Sequence, residues 1–184
     1  MPTYPFLLKQ NLMPCSVTNG RALPCKSGVG GLKSIYFAPY TSTTAALTDS
    51  SGTITLDDSV SFYKYEIKGN SSLETSINSS RENGSTFYES TLNVTFTFID
   101  VATQEQIKLL SHGRPQIVIE DYNGNHFLMG KDHGSEVTGG TVVTGAAMGD
   151  LSGFTLTLTA QETAPPFFCD QPTDDASSPI NPTP

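Results

Sequence analysis

The stretch FTLTLTA, residues 154–160, alternates strictly between apolar and hydroxyl-bearing side chains. A period of two places successive side chains on opposite faces of a β-strand. We therefore predict that Phe154, Leu156, Leu158 and Ala160 face a core, while the threonines between them face a polar surface. Such a strand is typical of a sheet that is buried on one face only.

The same alternation occurs before this strand, in residues 86–99. Its predicted inner face comprises Leu92, Val94, Phe96 and Phe98, and its outer face comprises Asn93, Thr95 and Thr97. The turn Asn83-Gly84 separates this strand from another at 73–80, and Asn-Gly between alternating segments is a strong hairpin signal. The outer half of this hairpin is polar on both sides, so we expect neighbouring chains to complete the sheet.

Further β-like segments lie on either side of this hairpin. They are residues 32–38, 53–56, 60–68, 116–121, 126–130 and part of 134–150. We predict a turn at Asp57-Asp58, and a bulge near Tyr63, where the apolar phase changes. A second Asn-Gly pair, Asn123-Gly124, predicts the hairpin that joins 116–121 to 126–130.

One helix is predicted, at about residues 103–112. Thr103 and Gln106 have the spacing of a capping box at its start, and Gly113 is a typical stop. Its apolar stripe comprises Ile107, Leu109 and Leu110. A helix of about three turns is long enough to cover one face of a sheet.

These patterns predict a mainly-β fold, a β-sandwich or barrel with one short flanking α-helix and extended terminal segments. Residues 1–31 contain several prolines and glycines and are predicted to form an extended arm. Residues 32–163 form the predicted β-domain. From residue 164 to 184 the chain is rich in Pro, Asp and Ser, which predicts a flexible or surface-hugging tail.

The charge of the chain, -8 in total, is unevenly distributed. Residues 1–33 carry Lys9, Arg21, Lys26 and Lys33 and no acid, which leaves 6 basic and 18 acidic residues in the remainder. An acidic body repels the phosphates of nucleic acids. One interpretation of the charge is simple solubility; the other is head-to-tail assembly, in which the basic arm of one copy meets the acidic body of the next.

Neither a membrane span nor a disulfide framework is predicted. No stretch approaches the roughly 20 apolar residues that cross a bilayer, and the N-terminus lacks a secretory apolar region. We therefore expect folding in a cytoplasm. The three cysteines then favour free thiols, with a Cys15–Cys25 bridge as the alternative.

The search for catalytic chemistry gives no strong motif. Residues 26–34 have a glycine-rich stretch near a lysine, but a strand follows it where a phosphate loop needs a helix. His126, Asp132 and His133 lie near one another in sequence, yet a strand and a turn explain them better than a metal site. We predict no catalytic residue, no metal site and no cofactor, and hence a protein that is not an enzyme.

The order of several segments resembles a family of tail tube proteins from long-tailed bacteriophages of Bacteroidetes-type hosts. The similar segments are GGLKSIY at 30–36, FYKYEIK at 62–68, the hairpin that ends at 92–98, VIEDYNGNHFLMGKD at 118–132, and TGAAMGD at 144–150 leading into 154–158. The resemblance covers roughly residues 28–168. The Pro-rich tail after Phe168 departs from it.

The resemblance implies a structural virion protein, made in the host cytoplasm and incorporated into the tail. Six copies would form a ring with one continuous barrel, and rings would stack into a tube through which DNA passes without tight binding. Its partners would be further copies of itself and other tail and head–tail proteins, with no membrane. The expected subunit contacts comprise Lys9, Arg21, Lys26, Lys33, Asn83, Gly84, Thr95, Thr97, Asn123 and Gly124.

Other functions remain compatible with the sequence. A head–tail connector, a tail terminator and a capsid decoration protein are also small, β-rich and polar. A ligand-binding β-sandwich with Ser- and Thr-rich loops is an alternative of a different class, and an enzyme on a jelly-roll-like fold is the least favoured. The oligomeric state separates these hypotheses, since only a tube subunit is expected to form rings and tubes.

Overall fold

The computed structural model describes residues 19–23, 25–40, 45–48, 52–57, 59–67, 69–176 and 180, with residues 45–48 as backbone alone. Strands and one helix account for most of this part of the chain. They are β1 (Leu32–Ala38), β2 (Ala45–Thr48), β3 (Thr53–Leu56), β4 (Tyr63–Glu66), β5 (Ser72–Ser80), β6 (Ser85–Thr97), α1 (Val101–His112), β7 (Gln116–Asp121), β8 (His126–Met129), β9 (Glu136–Val143), β10 (Gly153–Glu162) and β11 (Phe167–Cys169).

The strands form two sheets. The larger has seven strands in the order β2-β3-β11-β8-β7-β1-β4, and the smaller has four in the order β5-β6-β10-β9. All neighbouring strands are antiparallel except β3 and β11, which are parallel. The predicted mainly-β fold, sandwich-like with a single helix, is confirmed.

The main core lies between the two sheets. The alternating residues of β10 face it as predicted, because Phe154, Leu156, Leu158 and Ala160 are all buried. They meet apolar residues of the larger sheet, among them Ile35, Phe37, Ile117, Ile119 and Met129. Burial of a large aliphatic side chain stabilises a fold by roughly 1.5–3 kcal/mol, so this layer is the main source of stability.

A second core covers the opposite face of the seven-stranded sheet. Tyr36, Val118 and Leu128 project from the sheet into it, and Leu56, Val60 and Phe62 pack with them. Because the central strands β1 and β7 are thus buried on both faces, their sequences are nearly continuous apolar runs. The sheet is covered on both sides, whereas the four-stranded sheet is covered on one.

The bulge predicted near Tyr63 is wrong. Strands β1 and β4 pair without a register shift, and the change of apolar phase has another cause. Val60 and Phe62 pack into the second core, while Tyr65 and Ile67 pack into the main core. Regular alternation through a sheet with two buried faces produces this pattern.

The turn predicted at Asp57-Asp58 does not join neighbouring strands. The Val60 N–H donates to the Asp57 carbonyl at 3.1 Å, which closes a turn. Residue 58 itself lies outside the described residues. The strands on either side, β3 and β4, lie near opposite edges of the seven-stranded sheet, and the turn begins the crossing between them.

The helix begins earlier than predicted, at Val101, and its N-cap is Asp100. The Asp100 side chain accepts a hydrogen bond from the Thr103 N–H at 2.8 Å, so Thr103 is the third residue of the helix and is buried. Asp is a stronger N-cap than Thr. The predicted stop at Gly113 is confirmed, but Leu109 does not belong to the buried stripe, because its side chain is 65% exposed.

Phe98 does not share the buried face of β6 as predicted. The strand ends at Thr97, and Phe98 adopts a φ of 68° with its side chain 45% exposed. Its N–H donates to the Ser152 carbonyl at 2.7 Å. This left-handed residue ends the strand and turns the chain towards the N-cap of α1.

The boundary predicted at residue 164 is also corrected, because the following residues belong to the folded body. Strand β11 lies inside the seven-stranded sheet between β3 and β8. Beyond it, the Asp170 carboxylate accepts the Leu56 N–H at 2.9 Å and Asp175 accepts the Phe62 N–H at 2.9 Å. Residues 177–179 and 181–184 lie outside the described residues.

The predicted arm is described in part. Residues 19–23 and 25–31 contain neither helix nor strand and are exposed. Its first 18 residues, which include Lys9, lie outside the described residues. Residue Val29 is held by Asn123, and the chain enters β1 directly after this contact.

Candidate assembly surface

The four-stranded sheet presents one face to the main core and one away from it. We call the face that points away from the core the outer face. Residues paired across neighbouring strands lie on the same face, so the strand registers show which residues belong to it. It comprises Ser72, Glu74, Ser76 and Asn78 of β5, Phe87, Glu89, Thr91, Asn93, Thr95 and Thr97 of β6, Gly153, Thr155, Thr157, Thr159 and Gln161 of β10, and Glu136, Gly139, Thr141 and Val143 of β9.

Hydroxyl and amide groups of the outer face bind one another across the strands. The hydroxyls of Thr141 and Thr155 lie 2.6 Å apart, and the Thr157 hydroxyl donates to Asn93 Oδ1 at 2.9 Å. Gln161 Nε2 donates to Glu89 Oε1 at 3.1 Å. Some polar groups of the outer face are therefore hydrogen-bonded within the sheet, and the others are open to solvent.

The charges on the outer face are all negative. Glu74, Glu89 and Glu136 lie on it, and no lysine or arginine belongs to it. A surface of carboxylates and hydroxyls without a cation repels phosphate and offers it no ion pair. The outer face therefore offers a polyanion no site of electrostatic attraction.

The two edge strands of this sheet are open. No hydrogen bond from a described residue covers the outer edge of β5 or of β9, although α1 contacts β9 and the pairing of β9 with β10 has one irregularity. Each strand has a single charged residue, Glu74 or Glu136, and no lysine, arginine or proline. Each also exposes one aliphatic side chain on the core-facing side, Ile77 at 66% and Val142 at 61%. Lysines and prolines are the residues that most often block further pairing at the edge strands of monomeric proteins.

The β4 edge of the seven-stranded sheet differs, because the chain covers it. Asp174 forms a parallel bridge with Phe62, and its carboxylate accepts the Lys64 N–H at 3.3 Å. The C-terminal segment thus occupies the positions that a further strand would take. The chain itself therefore covers the β4 edge of the larger sheet, whereas both edges of the smaller sheet can still pair with another chain.

The predicted contact residues fall in two separate places. Thr95 and Thr97 lie on the outer face, on a strand with neighbours on both sides, and Asn83-Gly84 forms the tip of the β5–β6 hairpin. Asn123-Gly124 forms the β7–β8 turn of the other sheet. Arg21 and Lys26 are exposed on the arm, and no ion pair in the described part of the chain includes them.

Lys33 is engaged within its own chain. Its Nζ lies 2.5 Å from Glu120 Oε1, and the Ser34 hydroxyl donates to the other oxygen of Glu120 at 2.5 Å. Burial alone would raise the pKa of Glu120, but the hydrogen bonds from Lys33 and Ser34 and the charge of Lys33 lower it overall. The hydrogen bond to Glu120 raises the pKa of Lys33.

Asp121 organises the β7–β8 turn, a role that sequence reasoning missed. One carboxylate oxygen accepts the N–H groups of Asn123 and Asn125, both at 2.8 Å, and the other accepts their side-chain amides. Burial opposes ionisation, yet these bonds lower the pKa of Asp121. An Asp placed two residues before Asn-Gly is the signal for such an Asx turn.

The turn holds the end of the arm. Asn123 binds the Val29 backbone, and the Tyr122 N–H donates to the Gly31 carbonyl at 3.3 Å. A Cβ on Gly31, whose φ is 110°, would lie 3.1 Å from the Tyr122 ring. Both the backbone conformation and the close approach therefore require glycine at this position.

The residues considered for metal binding do not converge. His133 Nδ1 lies 3.2 Å from Glu162 Oε2, and Glu162 also accepts the N–H groups of Asp132 and His133. Within the described residues, no group of three His, Cys, Asp or Glu side chains has the arrangement of a metal site. The thiol of Cys169 is buried, which raises its pKa to about 12, and Cys25 is an exposed free thiol.

Comparison of the chain with protein-family models, with curated proteins and with solved structures gives no match. Within the described part of the chain, no helix combines the length and the apolar character needed to cross a membrane. The outer face and the two open edges of the four-stranded sheet are therefore the best indications of function.

Proposed function

We propose that this protein is the subunit of a bacteriophage tail tube, a structural virion protein that forms stacked rings around a channel for DNA. The single observation that carries the proposal is a four-stranded antiparallel sheet whose two edges are open and whose outer face is polar and acidic. The order of sequence segments supports the same function.

Strand direction makes cyclic assembly of this sheet straightforward. The four strands alternate in direction, so the edge strands β5 and β9 run opposite to each other. A copy rotated about an axis along the strands presents its β5 antiparallel to β9 of the first copy. Repetition of this contact closes into a ring that has no free edges.

The size of the ring follows from the family resemblance. Six copies, each contributing four strands, would form a barrel of about 24 strands, and barrels of this size enclose a wide lumen. The outer face would line that lumen. Its carboxylates would repel the phosphates of passing DNA, and its hydroxyls would hydrate the wall.

The remaining partners belong to the same assembly. Rings would stack through copies of the chain, with the basic arm of one ring reaching the acidic body of the next. Tail and head–tail proteins would bind at the ends of the tube. The protein would then be located in the virion tail, after assembly in the host cytoplasm. It would bind no membrane and no cofactor.

Electron microscopy of the purified full-length protein tests the proposal directly. We expect negatively stained rings of six subunits and tubes of stacked rings, with a matching mass in solution. A monodisperse monomer at high concentration would contradict the proposal and favour the ligand-binding module. Isolated rings that never stack would favour a head–tail connector or tail terminator.

A further inference from the structure

Three Asn-Gly pairs occur in the described residues, at Asn19-Gly20, Asn83-Gly84 and Asn123-Gly124. In such a pair the backbone nitrogen of glycine can attack the side-chain Cγ of asparagine. A new C–N bond forms, the bond from Cγ to the amide nitrogen breaks, and ammonia leaves. Water then opens the resulting succinimide to aspartate or isoaspartate. The reaction needs no partner except water, and glycine permits it because it has no side chain to obstruct the attack.

Asn83 is free to react in this way. Turn residues 81–84 at the tip of the β5–β6 hairpin are all exposed. No hydrogen bond within the described residues holds the Asn83 side chain; only its backbone N–H is bound, by the Ser80 hydroxyl at 3.3 Å. The Gly84 N–H, which carries the attacking nitrogen, donates no hydrogen bond to a described residue.

Asn123 is also followed by a glycine, but hydrogen bonds engage both polar atoms of its side chain. Its Oδ1 accepts the Val29 N–H at 2.9 Å, and its Nδ2 donates to the Val29 carbonyl at 2.7 Å and to Asp121 Oδ2 at 3.2 Å. The Gly124 N–H, which carries the attacking nitrogen, donates to the Asp121 carbonyl at 3.2 Å. Reaction at Asn123 requires that these bonds break first.

We propose that Asn83 is a site of spontaneous deamidation in the folded protein and that the contacts of Asn123 with Val29 and Asp121 protect Asn123 from the same reaction. Asn19, exposed on the arm next to an unobstructed Gly20, reacts as Asn83 does. The inference concerns covalent ageing of the chain and does not depend on the proposed function.

The modification changes the hairpin tip in two ways. It adds a negative charge next to Glu82, and isoaspartate adds a methylene group to the backbone within the turn. The four-residue loop that joins Ser80 to Ser85 then no longer fits its original geometry. An aged preparation is therefore chemically mixed at this tip while the turn at Asn123 stays intact.

Peptide mapping of the folded full-length protein tests the proposal. The protein is incubated at mildly alkaline pH, and samples taken over time are digested and analysed by mass spectrometry, with chromatographic separation of isoaspartate. We expect Asn83 and Asn19 to convert at least about tenfold faster than Asn123, since reaction at Asn123 must first open several hydrogen bonds. An Asn83→Gln variant should remove the signal from the hairpin peptide.

A denatured sample provides the control for sequence effects. In denaturant, where the contacts of Asn123 are lost, the conversion rates of Asn83 and Asn123 should become similar. Conversion of Asn123 as fast as that of Asn83 in the folded protein would overturn the proposal. Persistence of the rate difference in denaturant would also overturn it, because the difference would then arise from sequence and not from the fold.

Discussion

The side chain of Asn123 pairs with the backbone of Val29 in both directions, as a donor at 2.7 Å and as an acceptor at 2.9 Å. The two bonds imitate one rung of a β-ladder. They attach an otherwise exposed arm to the body three residues before β1, and so fix the point from which the arm leaves the domain.

An Asn123→Asp substitution tests this attachment. It replaces the donating amide with a carboxylate oxygen, so the Val29 carbonyl and Asp121 Oδ2 both lose this donor and face a negative charge. We expect a loss of about 1 kcal/mol in the free energy of unfolding, measured with urea. The same substitution at the unbound Asn83 is the matched control and should change stability by less than about 0.5 kcal/mol. Equal losses would argue against the attachment.

Acid should weaken the fold through Glu120. Its folded-state pKa lies below its ordinary value of 4.5, so its stabilising effect is fully present above that value. The effect is lost as the pH falls through the lower, folded-state pKa. Melting temperatures measured over this range should fall less steeply in Glu120→Gln, which should also be less stable at neutral pH.

Glu82→Gln is the control for the acid experiment. Glu82 is exposed in the hairpin turn and forms no ion pair among the described residues. Its replacement removes one carboxylate of the same kind without removing a buried contact. An acid response of Glu120→Gln that matches that of Glu82→Gln would show that the Lys33–Glu120 pair does not stabilise the fold.

Lysine on an open edge should prevent ring formation without unfolding the subunit. Ile77 is 66% exposed on β5, so Ile77→Lys should change the free energy of unfolding by no more than about 1 kcal/mol. In the proposed ring it would place a charge beside β9 of the next copy. We expect monomers where the unmodified protein gives rings, measured by light scattering and microscopy.

A lysine elsewhere separates edge effects from general effects of charge. Leu109 is 65% exposed, nearly the same as Ile77, and lies on α1 and not on an edge strand. Leu109→Lys should leave ring formation unchanged, and Val142→Lys on β9 should reproduce the loss seen with Ile77→Lys. Rings that survive both edge substitutions would contradict the proposed contact.

The arm should act on stacking more than on ring closure. Deletion of residues 1–27 removes Lys9, Arg21 and Lys26 but leaves Val29 and its attachment in place. We expect rings of normal diameter and markedly shorter tubes under the microscope. Replacement of the three cations by glutamine in the full-length chain tests whether charge alone explains the effect, and tube lengths unchanged by the deletion would contradict this role.

Strict alternation was the most informative feature of the sequence. Residues 154–160 and 92–96 could be assigned to one buried face, because each strand has one polar side and repeats its pattern over several residues. The outer face followed from the same pattern. Alternation does not show which strands lie next to each other in a sheet, because strand pairing depends on contacts between residues far apart in the chain.

The errors have identifiable physical causes. Phe98 continues the apolar pattern but adopts a left-handed conformation that ends the strand. Asp100 and Thr103 are both residue types that cap helices well, and only the structure shows that Asp100 is the cap. Strand β11 is three residues long and follows Pro165-Pro166, so its sequence appeared to belong to a flexible or surface-hugging tail.

The position of β11 has a consequence for synthesis on the ribosome. This strand joins the β2-β3 pair to β8 and the rest of the larger sheet. It is made after the other strands of that sheet, the last of which ends at Met129, and after the whole smaller sheet. During synthesis the two parts of the larger sheet therefore stay unjoined until residues 167–169 have left the exit tunnel.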